Sequence, residues 1–297
     1  METGFMKDEA PLIVIVGPTA SGKTALAIDL AERYDGEIIC ADSRTIYKDM
    51  DIGTAKPTAQ ERARVPHWGL DLVVPGERFS AADFKVYALQ KISEIRSRGK
   101  IPFLVGGTGL YVDGVVFNYE FAGVVDIALR NKLELCSLEE LIEYCQNNNI
   151  DLPENSRNKR HLIRTIERNG ANPQRSQQPV STSIIVGITT NRNELRTRIE
   201  RRAEQIFEDG VVEEAIRLGK MYGYSNEAMT ANLYPLARAY LQGEVSFDDM
   251  KARFVTLDWR LAKRQLTWLR RNPYIEWKEL SQAEQYLVKA LETYRSS

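Results

Sequence analysis

The chain has 297 residues, of which 43% are hydrophobic and 27% are charged, and its formal net charge is −1. This length and composition are those of an ordinary globular protein with one large domain and a smaller one, each with its own core. The longest strongly apolar run, Leu12–Val16, is far shorter than the roughly 20 residues that a membrane-spanning helix needs. The N-terminus also lacks a secretory leader pattern, so we expect a cytoplasmic protein without a membrane partner.

Cysteine and histidine usage predicts neither a disulfide framework nor a zinc site. The three cysteines are an odd number without a Cys-x-x-Cys pair, and the two histidines do not stand at metal spacing. The net charge argues against a protein that is basic overall, but nucleic-acid binding needs only local positive charge opposite phosphates. Basic residues do gather in the second half of the chain, at Arg157–Arg168, Arg192–Arg202 and Lys251–Arg271.

Strand and helix signals alternate over the first 120 residues. The apolar, β-branched run Leu12–Val16 predicts a strand that is buried on both faces of a parallel sheet. The segments that follow predict a helix over Thr24–Tyr34, a strand over Glu37–Ala41, a helix from about Ser80 to Arg98, and a strand over Ile101–Val105. Ser80 and Asp83 form a capping-box pattern at the start of the second helix. The alternation predicts a doubly wound parallel α/β sheet.

The middle of the chain shows helical patterns only. We predict an inserted all-helical subdomain over residues 121–175, with helices over Val125–Leu135, Leu138–Asn147 and Lys159–Arg168. The catalytic core would then consist of residues 1–120 and 176–297. It would resume with a strand over Ser183–Ile188 and continue with amphipathic helices over Asn193–Phe207, Val211–Met221, Leu233–Leu241 and Phe247–Arg271.

A phosphate-binding loop follows the first predicted strand. The residues Gly17, Pro18, Thr19, Ala20, Ser21, Gly22, Lys23 and Thr24 fit G-x-x-x-x-G-K-T and open the first predicted helix, as this motif requires. Backbone N–H groups and the helix N-terminus would bind phosphate oxygens, Lys23 would add a charge, and Thr24 would ligate Mg²⁺. The fold predicted is therefore P-loop NTPase-like. The motif leaves open whether the phosphate belongs to a nucleotide or to another pyrophosphate, and a glycine turn without a ligand is the alternative.

The residues after the second strand carry a resemblance to a known family. Together with the P-loop, Asp42-Ser-x-x-Ile-Tyr-Lys-x-Met-Asp-Ile-Gly-Thr-Ala-Lys-Pro57 resembles the tRNA dimethylallyltransferases, also called isopentenyl-diphosphate:tRNA isopentenyltransferases, in their bacterial form. Further matching segments span nearly the whole chain: Pro66-His67, Phe79–Phe84, Gly106–Tyr111, Arg198–Arg202, Gly210–Glu214 and Ala262–Arg270. Members of this family attach a dimethylallyl group to N6 of the adenosine 3′ of the anticodon, giving N6-isopentenyladenosine.

The resemblance implies a chemistry for the site. The P-loop would hold the pyrophosphate of dimethylallyl diphosphate with Mg²⁺, rather than hydrolyse ATP. Asp42, just past the carboxyl end of the second strand, would accept the proton of the adenine amine. Arg198 and Arg202 would stabilise the departing pyrophosphate together with Lys23. Thr108, after the double glycine, would contact the reacting adenosine or the donor.

The same resemblance implies how RNA is bound. The target base must leave its stack in the anticodon stem-loop. Contacts are expected from Asp42, Ser43, Arg44 and Thr45, and from Asn158, Lys159, Arg160, His161 and Arg164 at the start of a helix in the inserted subdomain. Two features depart from the family pattern. The segment Leu233–Leu236 keeps only its tyrosine, and the inserted subdomain is shorter than usual.

Several other functions share parts of this pattern. An adenylate isopentenyltransferase has a similar core and modifies free AMP, although the basic inserted region argues against it. A small-molecule kinase would use the same loop with ATP, and a catalytically silent relative would bind without turnover. We expect the protein to act as a monomer.

Overall fold

A computed structural model describes residues 9–121, 126–170, 175–180 and 182–296. The chain forms two compact units, one made of Met1–Val116 and Gln178–Ser297 and the other of Phe117–Gln177. For comparison, the sequence prediction placed the inserted subdomain at residues 121–175. Val125, its predicted helix start, lies outside the described residues.

The larger unit is built on a single sheet of six parallel strands. They are β1 Leu12–Val16, β2 Gly36–Cys40, β3 His67–Trp68, β4 Ile101–Gly106, β5 Ser183–Ile188 and β6 Glu276–Lys278, in the spatial order β3-β2-β4-β1-β5-β6. Every residue of β1, β2 and β4 is buried, as is typical of parallel strands covered by helices on both faces. The predicted doubly wound α/β sheet is confirmed.

Helices connect and cover these strands. In this unit they are α1 Lys23–Arg33, α2 Ala59–Arg64, α3 Ala81–Ser97, α4 Gly109–Val116, α8 Arg192–Glu208, α9 Val211–Tyr222, α10 Tyr234–Leu241, α11 Phe247–Leu269 and α12 Leu280–Ser296, with a 3-10 turn at Ala228–Thr230. The Ser80 capping box is present, since Ser80 accepts from the Asp83 amide and Asp83 accepts from the Ser80 amide. No described helix has both the length and the apolar character that crossing a membrane requires.

The strand register places three loops at one edge of the sheet. Val16 of β1 pairs with Gly106 of β4, and Cys40 of β2 pairs with Val105 of β4. These residues are the last or next-to-last of their strands, so the segments that follow them emerge side by side. This is the edge at which open parallel sheets bind their ligands.

Over its described residues, 117–121, 126–170 and 175–177, the smaller unit contains three helices, α5 Ile127–Leu135, α6 Leu138–Asn147 and α7 Lys159–Glu167. Ser137 begins α6 with a capping box to Glu140, and the Asn158 side chain caps α7. Its buried apolar residues form a separate core: Leu133, Leu141, Cys145, Ile150, Leu162, Ile163 and Ile166. Because Cys145 lies inside this core, it behaves as a small hydrophobic residue.

Candidate active site

The loop between β1 and α1 has the backbone conformation of a phosphate-binding loop. Gly22 immediately precedes α1 and has a φ of 90°, and Ala20 has a φ of 61°. A non-glycine residue in this left-handed region is strained, and such strain is concentrated at functional sites. The conformation leaves the first N–H groups of α1 directed out of the helix, as in helix N-termini that serve as anion sites.

Lys23 lies inside this loop and is held by it. Its ammonium group donates to the Pro18 carbonyl at 3.1 Å. Burial lowers the pKa of Lys23 to about 8, the Asp42 carboxylate opposes this shift, and the Arg202 guanidinium adds to it. Lys23, Asp42 and Arg202 are therefore close enough to interact electrostatically, although they come from three separate segments of the chain.

Asp42 follows β2 and is fixed through one of its two oxygens. Oδ1 accepts from the Arg44 amide at 2.8 Å. Within the described residues Oδ2 accepts no hydrogen bond, and the side chain is half-buried. Thr108 holds the same loop, because its hydroxyl oxygen accepts from the Ser43 amide at 3.1 Å. One carboxylate oxygen is thus positioned while the other remains available.

The two predicted arginines of α8 occupy one side of the helix but have different partners. Arg198 donates to the Ser21 carbonyl of the phosphate loop at 3.1 Å and pairs with Glu194 at 2.6 Å. Arg202 lies 3.6 Å from Asp258, a buried residue of α11. Asp258 also accepts from the Asn232 side chain at 3.0 Å. Arg198 thus contacts the phosphate loop directly, and Arg202 is oriented by Asp258.

The residues next to Asp42 have contacts within the fold. Arg44 donates to the Glu227 carbonyl at 3.0 Å and lies 3.4 Å from the Thr230 hydroxyl. Thr45 is buried, and its hydroxyl donates to the Asp42 carbonyl at 3.4 Å. Ser43 is half-buried beside Thr108. Their predicted contacts with RNA remain predictions.

The inserted unit uses part of its predicted RNA-binding set internally. Asn158 accepts from the Arg160 amide, Lys159 donates to the Glu134 carbonyl at 2.8 Å, and Arg164 pairs with Glu167 at 3.1 Å. Arg160 and His161 are exposed at the start of α7. The capping residue Asn158 is also exposed, whereas Lys159 and Arg164 are half-buried.

Residues 42–57, which carry the family resemblance, are anchored by two buried charged residues, Lys56 within the segment and Glu214 of α9. Lys56 donates to the Tyr47 carbonyl at 2.9 Å and pairs with Asp71 at 2.6 Å and with Asp51 at 2.7 Å. Because the ammonium group has three acceptors for its three protons, its burial is compensated. This ion cluster closes the segment into a compact loop.

Glu214 of α9 anchors the same segment from the other side. Its carboxylate accepts from the amides of Asp51, Ile52 and Gly53 at 2.8 to 2.9 Å. It also accepts from the Tyr234 hydroxyl at 2.8 Å. Tyr234 is fully buried. It is the one residue of Leu233–Leu236 that matches the family pattern, and it supports this loop from inside. Glu214 stands in a segment that the resemblance included, but nothing in its spacing indicated its partner.

A magnesium ion would need phosphate oxygens as additional ligands here. Within the described residues, no group of three or more His, Cys, Asp or Glu side chains is arranged to hold a metal. Thr24, half-buried in the first turn of α1, offers one hydroxyl beside the anion-binding amides. Mg²⁺ usually binds through few protein ligands and completes its shell with water and substrate phosphates. The residues present fit that arrangement.

The fold and the site define a P-loop protein whose lysine lies within electrostatic reach of a carboxylate and an arginine. The model of the IPP transferase family matches residues 45–272, and the model of the isopentenyl transferase family matches residues 10–67. Because the first match covers more than half of the chain, the chain belongs to the IPP transferase family.

Individual relatives agree with this assignment. The tRNA dimethylallyltransferase of Acetivibrio thermocellus is 39% identical over 302 residues, covering 95% of this chain and 96% of the relative. That of Streptococcus uberis is 37% identical, covering 96% and 95%. Among solved structures, the tRNA isopentenylpyrophosphate transferase of Bacillus halodurans superposes with a TM-score of 0.73 at 33% identity, covering 96% of this chain and 98% of that one.

Proposed function

We propose that this protein transfers a dimethylallyl group from dimethylallyl diphosphate to N6 of the adenosine 3′ of the anticodon in tRNA. The observation that carries the proposal is that the phosphate loop with Lys23 and the segment with Asp42 follow neighbouring strands at one edge of the sheet, close enough for the two charges to interact. A phosphate-binding lysine and a carboxylate with a free oxygen at the same place suit a reaction that releases diphosphate and removes a proton. The names of the relatives supply the acceptor class, tRNA.

The proposed reaction exchanges one bond to carbon for another. N6 of adenine attacks the allylic carbon, and the C–O bond to the diphosphate breaks with its electron pair staying on oxygen. The lone pair of N6 is delocalised into the ring, so loss of its proton to Asp42 Oδ2 assists bond formation. The products are N6-isopentenyladenosine in the RNA and pyrophosphate.

Fixed positive charge stabilises the departing diphosphate. Lys23, the first amides of α1 and Arg198 surround the loop in which it would lie. Arg202 adds a further charge near Lys23. These groups are held in place before reaction, so they stabilise the developing charge more than the bound donor. When bound at Thr24, Mg²⁺ would neutralise further phosphate charge.

Labelled donor tests this proposal directly. The protein is incubated with radiolabelled dimethylallyl diphosphate, Mg²⁺ and either unmodified tRNA or AMP, and a parallel sample contains ATP without donor. We expect label in tRNA, none in AMP, and no ATP hydrolysis. Label in AMP would assign the protein to adenylate modification. Absence of transfer to either acceptor would refute the proposal.

We also propose that the inserted unit binds the anticodon stem-loop, for which the exposed Arg160 and His161 provide the support. Arg160→Ala should raise KM for tRNA several-fold without lowering kcat. It should also reduce the slope of log KM against log salt by about one, as expected for one lost phosphate contact. Lys132→Ala, at an exposed position on α5 of the same unit, is the matched control. Equal effects of the two variants would contradict a specific role of Arg160.

The pH dependence of donor binding should report the protonation of Lys23. Its pKa of about 8 in the free protein lies below the ordinary value because of burial. Bound diphosphate favours the charged form, so the pKa is higher in the complex. Affinity should therefore be constant below pH 8 and weaken by up to about tenfold per pH unit above it, until the pKa of the complex is reached.

Calorimetric titration with dimethylallyl diphosphate between about pH 6.5 and about pH 9.5 measures this effect. Lys23→Arg is the control, because arginine keeps its charge throughout this range. Both proteins bind the same ligand, so the protonation of the ligand itself cancels when their pH profiles of affinity are compared. Parallel pH profiles for the two proteins would contradict the assignment to Lys23.

A further inference from the structure

A glutamine from α11 occupies one of the amides of the phosphate loop. The Gln265 side-chain oxygen accepts from the backbone N–H of Thr19 at 2.8 Å, although the two residues are 246 positions apart. Thr19 is the third residue of the G-x-x-x-x-G-K-T motif. Its N–H is of the kind that such loops direct at phosphate oxygens.

The same side chain fills the space between the phosphate loop and the end of β4. Its nitrogen Nε2 lies so close to Gly107 that a Cβ placed there would be only 2.3 Å away. The same imagined Cβ would lie 3.1 Å from the Gly17 carbonyl oxygen. A side chain at position 107 would displace the Gln265 carboxamide, which closes the gap between the two loops.

The remaining anion-binding groups are concentrated at the helix end of the loop. Pro18 has no N–H, the Ser21 amide is directed to the Pro18 carbonyl at 3.3 Å, and Thr19 is capped by Gln265. Beyond Thr19, the loop amides that find no acceptor among the described residues are those of Ala20, Gly22, Lys23 and Thr24. A compact two-phosphate group matches this set, whereas a longer chain would extend toward the half of the loop that is capped and filled.

We propose that Gln265 sets the length of the phosphate chain that the loop accepts: by capping Thr19 and filling the space over Gly107, it admits a diphosphate and disfavours a triphosphate. This inference deepens the proposed function and rests on it for the identity of the donor. It makes Gln265 a specificity-determining residue, and it explains in physical terms how a P-loop can select a prenyl diphosphate over ATP.

Inorganic pyrophosphate and tripolyphosphate test the proposal without any transfer reaction. Each is titrated calorimetrically into the full-length protein with Mg²⁺. We expect the parent protein to bind pyrophosphate more tightly, and Gln265→Ala to shift the ratio of the two dissociation constants by about tenfold toward tripolyphosphate. Gln265→Met fills the same space without capping Thr19, so its ratio should lie between those of the parent and the alanine variant.

Thr267→Ala is the matched control, since Thr267 is exposed two residues further along α11 and its hydroxyl donates to the Lys263 carbonyl of its own helix. Its ratio should equal that of the parent. Equal affinity of the parent for the two anions would overturn the proposal, as would a parent-like ratio in Gln265→Ala. If Gln265→Ala does not fold, the parent and Gln265→Met still decide the question.

The two proposals can fail separately. Selectivity for pyrophosphate that depends on Gln265, in a protein that transfers no label, would leave the inference intact and refute the prenyl transfer. If label is transferred to tRNA but substitution of Gln265 leaves the ratio of the two dissociation constants unchanged, the prenyl transfer stands and the inference about Gln265 is refuted.

Discussion

Asp42→Asn should lower the rate of dimethylallyl transfer to tRNA by about 10²- to 10⁴-fold, the contribution of a well-placed general base. Asparagine has nearly the same shape, and its side-chain oxygen can still accept from the Arg44 amide, so the loop should keep its conformation. The amide cannot take up the proton from N6. The loss should therefore appear in kcat, measured by label transfer at saturating donor and tRNA.

Donor binding separates this effect from a loss of structure. Asp42→Asn removes a negative charge near Lys23 and so lowers the pKa of Lys23 further. Donor binding is therefore compared at about pH 6, where Lys23 is charged in both proteins, and there the variant should bind dimethylallyl diphosphate no more weakly than the parent does. Asp49→Asn provides the control in the same loop, because Asp49 contacts Tyr222 and Arg217 instead of the phosphate site. A transfer rate within a few-fold of the parent in Asp42→Asn would exclude Asp42 as the base.

Glu214→Ala should lower the free energy of unfolding by about 3 to 5 kcal/mol. Three backbone amides and the Tyr234 hydroxyl would lose their acceptor, and each buried donor left unpaired costs about 1 kcal/mol or more. Urea denaturation measures the change as a lower midpoint at unchanged slope. Tyr234→Phe, which leaves the amides paired, should cost only about 1 kcal/mol.

The neighbouring acidic residue provides the matched control. Glu213 is exposed one position earlier on α9, so Glu213→Ala should change stability by less than about 0.5 kcal/mol. Similar destabilisation by the two alanine substitutions would mean that the helix, and not the anchoring of residues 51–53, is responsible. An unchanged midpoint for Glu214→Ala would show that the hydrogen bonds of Glu214 to residues 51–53 do not stabilise the fold.

Elements with strong local signals were predicted correctly from the sequence. The strand Ser183–Ile188 and the helix Leu138–Asn147 have the predicted bounds, and the helix predicted to begin near Ser80 begins one residue later. Apolar periodicity and capping residues act over a few neighbouring positions, so they can be recognised in the amino-acid sequence.

Short or weakly patterned elements were not predicted. Strands β3 and β6 have two and three residues, and such lengths carry no periodicity. Helix α4 begins at a glycine and contains a second one, which local propensity disfavours, yet it packs against α3 and α11. Tertiary burial, rather than propensity, accounts for β3, β6 and α4. Helix α12, which covers the sheet beside α1, was not predicted either, although its buried residues Ala283, Leu287 and Leu291 recur at helical spacing.

The sequence by itself determined the parallel α/β sheet, the position of the phosphate loop and the placement of Asp42 after a strand, since each depends on neighbouring residues. Only the tertiary structure decided that Gln265 caps Thr19, that Asp258 orients Arg202 and that Glu214 holds the amides of residues 51–53. The partners in these contacts are separated by 56 to 246 positions. Such pairs meet only when the packing of helices on the sheet brings them together, and a side chain's own type does not specify which distant group will satisfy it.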